Sequence, residues 1–443
     1  MDLATGGTRG RPVPRPQWLS LALEADQLLD QQRLDEAADR AAASVRLNPD
    51  SAIALHALGM VSWHRGRPHE GMDQLRRAVA ACPDLAGAHN GLGLCLAQLG
   101  DHDAALREYE LALILQPDHA YARFNWATQL LRRGRYADGW VEYEWRWAAG
   151  RKSPPDIPRP KWDGRPLDGR ALLVLTEQGA GDTLMFLRFL PRDKRRPGDR
   201  LLFACQTALR PLLRNLPGVD HWFPIDQPSS IDFDVYLPLL SLPGILDLGE
   251  ADIPYPVPYL TPDPARVETW RPRLAALPGR KVGVCWQGNP AFPGDRFRSI
   301  PLARFAPLTE VPGVTLVSLQ KGVGEEQIAA NRDMVPLTVF PDLDAAEPFA
   351  DTGAVMQHLD LVVTTDTAVA HLAGALGRPV WVALGVDCDW RWGMGRADST
   401  WYPTVRLFRQ TSFGDWPGVF AAMAAALRAR GASSGPAPPA GTP

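Results

Sequence analysis

Small and apolar residues recur along the first third of the chain with a period of 34 residues. Prolines, glycines and a large apolar residue all keep this step, at Pro49, Pro83, Pro117, Gly66, Gly100, Gly134, Leu58, Leu92 and Trp126. Small residues extend the register at Ala37, Gly71, Ala105 and Gly139. Small positions let helices approach closely, and a proline ends the second helix of each unit. The pattern predicts a solenoid of helical hairpins over residues 18–150.

Beyond residue 170 the pattern changes to short apolar runs that alternate with helix-like segments. The runs cover residues 171–175, 201–205, 281–286, 314–319, 359–364 and 380–384. Continuous apolar runs of this length are typical of parallel strands covered on both faces. We therefore expect two Rossmann-like α/β lobes, residues 171–275 and 276–430, with a helix over 264–280 leading into the second lobe. A cleft should lie between the carboxyl ends of their strands.

The remaining segments carry few core-forming residues. Residues 151–170 contain proline and basic residues and are predicted to be a linker, while residues 1–17 and 431–443 are predicted to be disordered. The first residues lack the apolar region of a signal peptide, and no run of eighteen apolar residues occurs. The sequence thus predicts a cytoplasmic protein without a transmembrane segment.

Charge and cysteine content argue against a nucleic-acid binder, a disulfide-stabilised protein and a zinc protein. The 47 basic and 50 acidic residues give a net charge of -3, whereas a dedicated nucleic-acid binder carries a basic face. The five cysteines are scattered and form no Cys-x-x-Cys pair, so neither a disulfide framework nor a zinc site is expected.

The first candidate site follows the first predicted strand, where Gly179, Gly181 and Asp182 precede a helix. Glycines at such a turn expose backbone N–H groups that can bind an anion. A dinucleotide site is disfavoured, because Leu184 replaces its third glycine and the next strand ends at Cys205 without an acidic ribose ligand. Asp182 is either a catalytic carboxylate or a helix N-cap, for which Asp is a preferred residue.

The second candidate site follows the run at 359–364. Asp366, Thr367 and Ala368 begin a helix of small residues, whose first N–H groups can hold phosphate. His371 lies in the first turns of this helix. It either donates a hydrogen bond to a phosphate oxygen or packs in the interior.

Two more candidate segments follow the first two predicted strands of the second lobe. The first consists of Trp286, Gly288 and Asn289 with Arg298 on the loop beyond them. An arginine there can pair bidentately with phosphate, unless it is an ordinary surface residue. The second segment could reach a base and ribose, or be a solvated loop; it contains Gln320, Lys321, Glu325 and Glu326.

These motifs resemble two known families. The 34-residue period resembles the tetratricopeptide repeat, with Gln32 in place of the first turn glycine. From Ala171 to about Trp416 the chain resembles the heptosyltransferase-like (glycosyltransferase family 9-like) bacterial-type enzymes, which have the two-lobed GT-B fold. The residues that match are the Gly-Asp-Thr turn at Asp182 and the Asp-Thr-x-x-x-His helix start at Asp366, Thr367 and His371.

The family resemblance implies a role for each matching residue. Asp182 would be the catalytic base, and the helix that begins at Asp366 would hold the sugar and diphosphate of the donor. Arg298 stands where the family often has lysine, as a phosphate ligand. Either Glu325 or Glu326 would contact the ribose, and the sequence does not distinguish them.

The function expected from this resemblance is inverting transfer of a sugar from a nucleotide-diphosphate sugar to an acceptor hydroxyl. No metal or other cofactor is expected, since the Asp-x-Asp triplets at 232–234, 342–344 and 387–389 read as coincidences in turns. The domain order resembles that of protein O-glycosyltransferases, which suggests a protein or peptide acceptor bound by the repeats. The alternative is a non-catalytic repeat adaptor with a nucleotide-binding domain. The base, the sugar, the acceptor and the oligomeric state are not specified by the sequence.

Overall fold

The computed structural model describes residues 15–150, 155–190, 196–214, 216–225, 232–292 and 294–432. The chain forms two compact units, residues 1–122 and 123–443. Most of the predicted disordered N-terminus and tail, and residues 151–154 of the predicted linker, lie outside the described residues. The predicted lobe boundary at 275 stays a prediction.

The first unit consists of helical hairpins. Its helices are α1 (Gln17–Asp30), α2 (Leu34–Leu47), α3 (Ala52–His64), α4 (Pro68–Ala81), α5 (Ala86–Gln98) and α6 (His102–Leu115). The second helix of each hairpin ends two residues before Pro49, Pro83 or Pro117. The turn between the helices needs a left-handed residue, and Gly66 and Gly100 supply it with φ of 74° and 94°. Gln32 takes the same place in the first hairpin, with φ 60°.

The small positions of the repeat allow the helices to touch. A Cβ atom at Gly59 would lie 2.5 Å from Cγ of Leu75, and one at Gly93 would lie 2.5 Å from Cε1 of Tyr109. Such distances leave no room for a side chain. The 34-residue pattern therefore reports helix contacts within the hairpins, and the predicted repeat fold is confirmed.

The fourth hairpin belongs mainly to the second unit. It is formed by α7 (Ala120–Arg132) and α8 (Tyr136–Tyr143), which are joined at Gly134 with φ 76°. Since the units divide between residues 122 and 123, this hairpin groups with the α/β part. The predicted repeat-domain bounds, 18–150, stay a prediction.

The first lobe is a parallel sheet in the order β3-β2-β1-β4. Its strands are β1 (Ala171–Leu175), β2 (Arg200–Cys205), β3 (His221–Pro224) and β4 (Val235–Pro238), and its helices are α9 (Ala180–Phe186), α10 (Arg210–Leu213) and α11 (Leu242–Ile245). The runs at 171–175 and 201–205 were predicted as strands. β3 and β4 were not, because each has only four residues and ends in a proline.

The second lobe is a parallel sheet in the order β6-β5-β7-β8-β9. Its strands are β5 (Arg280–Cys285), β6 (Val314–Ser318), β7 (Leu361–Thr365), β8 (Val380–Leu384) and β9 (Val405–Arg409). Its helices are α12 (Pro264–Ala275), α13 (Ala306–Thr309), α14 (Glu326–Ala330), α15 (Ala350–Met356), α16 (Ala368–Ala375) and α17 (Trp416–Ala432). All strands but β9 were predicted; arginines interrupt the apolar pattern of β9.

The strand orders determine where ligands can bind. Chain order reverses between β1 and β4 in the first sheet and between β5 and β7 in the second. In open parallel sheets ligands bind at the carboxyl ends of the strands beside such a reversal. The loops after β1, β5 and β7, which carry the candidate motifs, lie at these points. The predicted fold class, helical repeats followed by two Rossmann-like lobes, is confirmed.

No helix in the described parts of the chain is long and apolar enough to cross a membrane.

Candidate active site

Asp182 lies in the first turn of α9, and both of its carboxylate oxygens have partners. Gly179 is the N-cap of this helix, and its N–H donates to Oδ2 of Asp182 at 2.9 Å. Asp182 therefore helps to cap α9 from the third helical position and is not itself the N-cap. Because the Gly179 N–H is used in this way, that group is not free to bind phosphate as predicted.

The second oxygen of Asp182 is held by Arg391, a residue outside all the candidate motifs. Oδ1 of Asp182 accepts from Nη2 of Arg391, and Nη1 of the same guanidinium donates to Asp389 at 2.8 Å. Arg391 belongs to a 3-10 turn, Trp390–Trp392, after β8, and is 6% exposed. This ion pair joins the two lobes. An arginine after the carboxyl end of a predicted strand was the only signal in the sequence.

Three carboxylates near this arginine differ in their pKa values. Burial raises the pKa of Asp182, and Asp389 adds to the rise, while Arg391 opposes it. Burial also raises the pKa of Asp366 to about 6, again with a contribution from Asp389. Burial acts upward on Asp389 too, but Arg391 outweighs it and lowers the pKa of Asp389. Asp389, which accepts from both Nη1 and the backbone N–H of Arg391, is thus the carboxylate held most strongly in its charged form.

The helix α16 begins at the carboxyl end of β7, as the second candidate motif predicts. Thr367 is its N-cap, with extended φ and ψ of -138° and 174°, and Ala368 is its first residue. The hydroxyl of Thr367 lies 3.2 Å from that of Thr364, and Asp366 is 8% exposed. The first N–H groups of a helix have no partner within it, so this end can bind an anion.

His371 is packed on three sides. Its Nδ1 lies 3.0 Å from the Tyr402 hydroxyl, its ring stacks on Trp392 at 5.3 Å, and Nε2 is 3.9 Å from Oδ1 of Asp366. Burial, with help from Arg391, lowers the pKa of His371 to about 3, so the ring is neutral at neutral pH. A Cβ atom at Gly181 would lie 2.7 Å from Cδ2 of His371. Gly181 of the first lobe therefore packs directly against α16, with no room for a side chain between them.

The residues after β5 divide into core and surface. Trp286 is fully buried in the core of the second lobe, and its Nε1 donates to the Gly324 carbonyl at 3.2 Å. The predicted contact of Trp286 with the donor stays a prediction, and in this structure its side chain is not accessible. Gly288 donates its N–H to the Ser299 hydroxyl at 3.0 Å. Asn289 is exposed and closes a turn by accepting from the Ala291 N–H.

Arg298 is held beside the start of α16. Its Nε donates to the buried Asp295 at 3.0 Å, and its guanidinium lies 4.9 Å above the ring of Phe292. Its carbonyl accepts a hydrogen bond from the hydroxyl of Thr365, the last residue of β7. The structure thus brings Arg298 together with the motif at Asp366, and its side chain remains 28% exposed.

The polar side chains of the segment after β6 bond mainly to the backbone and side chains of that loop and of the neighbouring loop after β5. The amide of Gln320 bonds to the backbone of Trp286, Gln287 and Val323, so the predicted contact of Gln320 with a nucleoside would require breaking these bonds. Lys321 pairs with Glu325 at 3.2 Å. Glu325 and Glu326 accept from the N–H groups of Gly322 and Gly324, respectively. Each glutamate thus accepts from one glycine N–H, and Glu325 has the additional ion pair with Lys321.

A groove of about 330 Å³ lies beside the end of β5, away from Asp182. It is lined by Gln287, Phe292, Asp295, Arg296, Ser299 and Gln327, among others. The Phe292 ring in its wall is 44% exposed.

The loop after β1 is tied to the last repeat by a buried network. Arg146 follows α8, is 1% exposed, and donates from Nη2 to Glu177 and to the Ser241 hydroxyl, both at 2.9 Å. Among the described residues, Oε2 of Glu177 is buried without a hydrogen-bond partner. Burial raises the pKa of Glu177 to about 7 although Arg146 opposes the rise.

The loop after β8 is also tied to the last repeat. Arg132, at the end of α7, pairs with Asp387 at 2.6 Å and donates to the Cys388 carbonyl. The Asp-x-Asp triplet at 387–389 thus binds two arginines, Arg132 and Arg391. These ties were not predicted, because they join residues far apart in the sequence.

Comparison with known proteins identifies both parts of the chain. The tetratricopeptide repeat family matches residues 23–86 and 86–119, and glycosyltransferase family 9 (heptosyltransferase) matches residues 320–385. Protein FlbA of Caulobacter vibrioides is 30% identical over 430 residues, covering 89% of this chain and 70% of FlbA. The chain belongs to the FlbA family. As predicted, this FlbA-family protein carries tetratricopeptide repeats followed by a glycosyltransferase family 9 domain.

Solved structures are similar to the FlbA-family protein at low identity. An O-GlcNAc transferase mutant of Thermobaculum terrenum is 17% identical, with a TM-score of 0.36, over 93% of this chain and 92% of that chain. The E. coli ADP-heptose LPS heptosyltransferase II is 15% identical, with a TM-score of 0.43, over 59% and 99%. A family 9 glycosyltransferase of Veillonella parvula is 11% identical, with a TM-score of 0.44, over 61% and 98%.

Proposed function

We propose that the protein is an inverting glycosyltransferase that moves a sugar from a nucleotide-diphosphate sugar to an acceptor hydroxyl. One observation carries this proposal: a carboxylate after β1 and a helix N-terminus after β7 face each other across the two lobes. They are Asp182 and the start of α16, and they meet where Gly181 contacts His371.

Each side of this arrangement suits one half of the reaction. Asp182 would take the proton of the acceptor hydroxyl as that oxygen attacks the anomeric carbon. The N-terminus of α16, with Arg298, would stabilise the negative charge that develops on the diphosphate leaving group. Attack from the side opposite to the leaving group inverts the anomeric centre. Because the helix and the arginine supply positive charge, we propose no metal.

The groove beside β5 is where we place the nucleoside of the donor. It lies next to Arg298, and its exposed Phe292 ring can stack on a base. Glu325 or Glu326 would contact the ribose. The repeat array supports a protein or peptide acceptor, since stacked hairpins form an extended binding surface.

A donor screen tests the proposal. The protein should be stabilised against heat by the donor's nucleotide when UDP, GDP, ADP, CMP and dTDP are compared, because a ligand that binds only the folded state raises its stability. If CMP alone stabilised the protein, the donor would be a nucleoside-monophosphate sugar and not the nucleotide-diphosphate sugar proposed here. No stabilisation by any nucleotide, and no hydrolysis of the sugar nucleotides, would favour the non-catalytic adaptor.

A further inference from the structure

The pairing of Asp182 with Arg391 opposes the role proposed for Asp182. A general base needs a carboxylate oxygen that faces the proton it accepts. Here one oxygen accepts from the Gly179 N–H and the other from Arg391. Each oxygen has a further lone pair, but the ion pair with Arg391 favours the charged form of Asp182 and so weakens it as a base. Release of Asp182 by Arg391 would therefore strengthen the base.

Arg391 is placed to exchange this partner for another anion. Its neighbour Trp392 stacks on His371 of α16, so the arginine is attached to the side of the site that would hold phosphate. Among the described residues, its Nε is buried without a hydrogen-bond partner, so at least this donor of the guanidinium is unused. A guanidinium has the same fork geometry toward phosphate as toward carboxylate.

We propose that Arg391 is a positioning residue shared between Asp182 and the diphosphate of the donor. The diphosphate draws the hydrogen bonds of Arg391 away from Asp182, and the freed carboxylate then accepts the proton of the acceptor hydroxyl. Asp389 remains bound to Arg391 and keeps it in place. This inference rests on the proposed function, and it makes donor binding a condition for activating the base.

The exchange has a thermodynamic consequence that does not involve turnover. If Asp182 and a diphosphate compete for Arg391, removing the charge of Asp182 must strengthen diphosphate binding. Because the competition passes through Arg391, most of this gain should be lost when Arg391 is replaced. If Arg391 only joined the lobes, any gain from Asp182→Asn would persist after Arg391 is replaced.

A double-mutant cycle on the full-length protein tests the exchange. The nucleoside diphosphate that stabilises the wild type most is titrated by calorimetry into the wild type, Asp182→Asn, Arg391→Gln and the double variant. We expect Asp182→Asn to bind it about fivefold more tightly or better, at the lower end of usual couplings. Arg391→Gln should bind it roughly tenfold or more weakly. In the Arg391→Gln background, Asp182→Asn should change the affinity little.

Arg188→Gln is the matched control. Arg188 is 2% exposed and also joins the lobes, donating to the Trp401 carbonyl and the Tyr259 hydroxyl. It has no bond to Asp182, so Asp182→Asn should still strengthen binding in the Arg188→Gln background. Unchanged or weaker diphosphate binding by Asp182→Asn alone would overturn the exchange, even if Arg391→Gln fails to fold. Absence of nucleotide binding by the wild type would instead count against the proposed function.

Discussion

His371 is a buried side chain whose Nε2 can still donate a hydrogen bond to a ligand. With its pKa lowered to about 3, the ring is neutral and carries a single proton. When the Tyr402 hydroxyl donates to Nδ1, that proton is on Nε2, the nitrogen on the side of Asp366. A neutral donor of this kind can bind a phosphate oxygen without the cost of burying a charge. The interpretations as packing residue and as phosphate ligand are thus compatible.

Asp182→Asn separates a base from a capping residue. Asparagine keeps an oxygen for the Gly179 N–H, so α9 should still form, but it cannot accept the proton of the acceptor. Transfer at saturating substrates should fall by about 10² to 10⁴ in an assay of labelled sugar on the acceptor. A variant that keeps most of the wild-type rate, with chemistry shown to be rate-limiting, would refute the role of Asp182.

Asp252→Asn is the control for this experiment. Asp252 accepts from the Gly249 N–H at 2.9 Å, which is the same cap at the same position of a 3-10 turn. The Asp252→Asn variant should retain sugar transfer, because it loses the same charge from a helix cap that lies outside the candidate active site.

Arg298→Ala tests the phosphate side. Loss of its charge-assisted bonds should weaken binding of a free nucleoside diphosphate by roughly 1.5 to 3 kcal/mol, measured by calorimetry. Arg304→Ala removes the same charge six residues away, from an exposed side chain that does not line the groove. If both variants lose affinity equally, the effect is one of general charge and Arg298 is not a specific ligand.

Glu177→Gln tests the buried network through its pH dependence. The pKa of Glu177 is raised to about 7 by burial, so the folded protein holds this proton more tightly than the unfolded chain. The stability contributed by the group is complete below about pH 4.5 and is lost as the pH rises through 7. We expect the unfolding free energy of the wild type, relative to Glu177→Gln, to fall between pH 5 and pH 8 in urea titrations.

Glu144→Gln is the control for the fall in stability expected between pH 5 and pH 8. Burial acts upward on Glu144, but Arg146 and Lys161 outweigh it and hold its pKa at about 2. Its contribution is therefore lost only in acid, below about pH 4.5. A flat difference for Glu177→Gln, or the same slope for both variants, would contradict the assigned pKa.

At the scale of helices and strands, the sequence predicts those elements whose apolar pattern is repeated or uninterrupted. The 34-residue period and six apolar runs led to the repeat hairpins and six strands, whereas β3, β4 and β9 are short or interrupted by polar residues. The motifs after β1 and β7 could be found because they are contiguous. Arg391 could not be assigned to Asp182, since 209 residues separate them and only the folded lobes bring them together.

Gln32→Gly should stabilise the repeat unit. Gln32 has φ 60°, a left-handed conformation that costs a residue with a Cβ atom about 1 to 2 kcal/mol. Part of this is offset by the greater freedom of glycine in the unfolded chain, so a net gain of about 0.5 to 1 kcal/mol is expected. Thermal unfolding of the variant should show it. Gly66→Ala, at the same place in the next hairpin, should destabilise; a lower melting temperature for Gln32→Gly would contradict the argument.

At the scale of the whole molecule, the last repeat hairpin is part of the α/β unit. Arg132 and Arg146 pair with Asp387 and Glu177 on the loops after β8 and β1. The Trp140 indole is 3% exposed and donates to the Leu248 carbonyl at 2.9 Å. The boundary expected at residue 150 would cut through these contacts.

Two truncations distinguish the boundaries. A chain that begins at Asp118 keeps α7 and α8, and its nucleotide-induced thermal shift should match that of the full-length protein. A chain that begins at Arg151 loses Arg132 and Arg146 and leaves Glu177 and Asp387 without these partners, a loss that costs about 3 to 5 kcal/mol for each buried pair. It should unfold at lower temperature and show little or no shift.

The chain from Asp118 should nevertheless lose transfer to a macromolecular acceptor, if the first three hairpins bind it. Equal nucleotide binding by both truncated chains would show that the α/β lobes do not need the fourth hairpin.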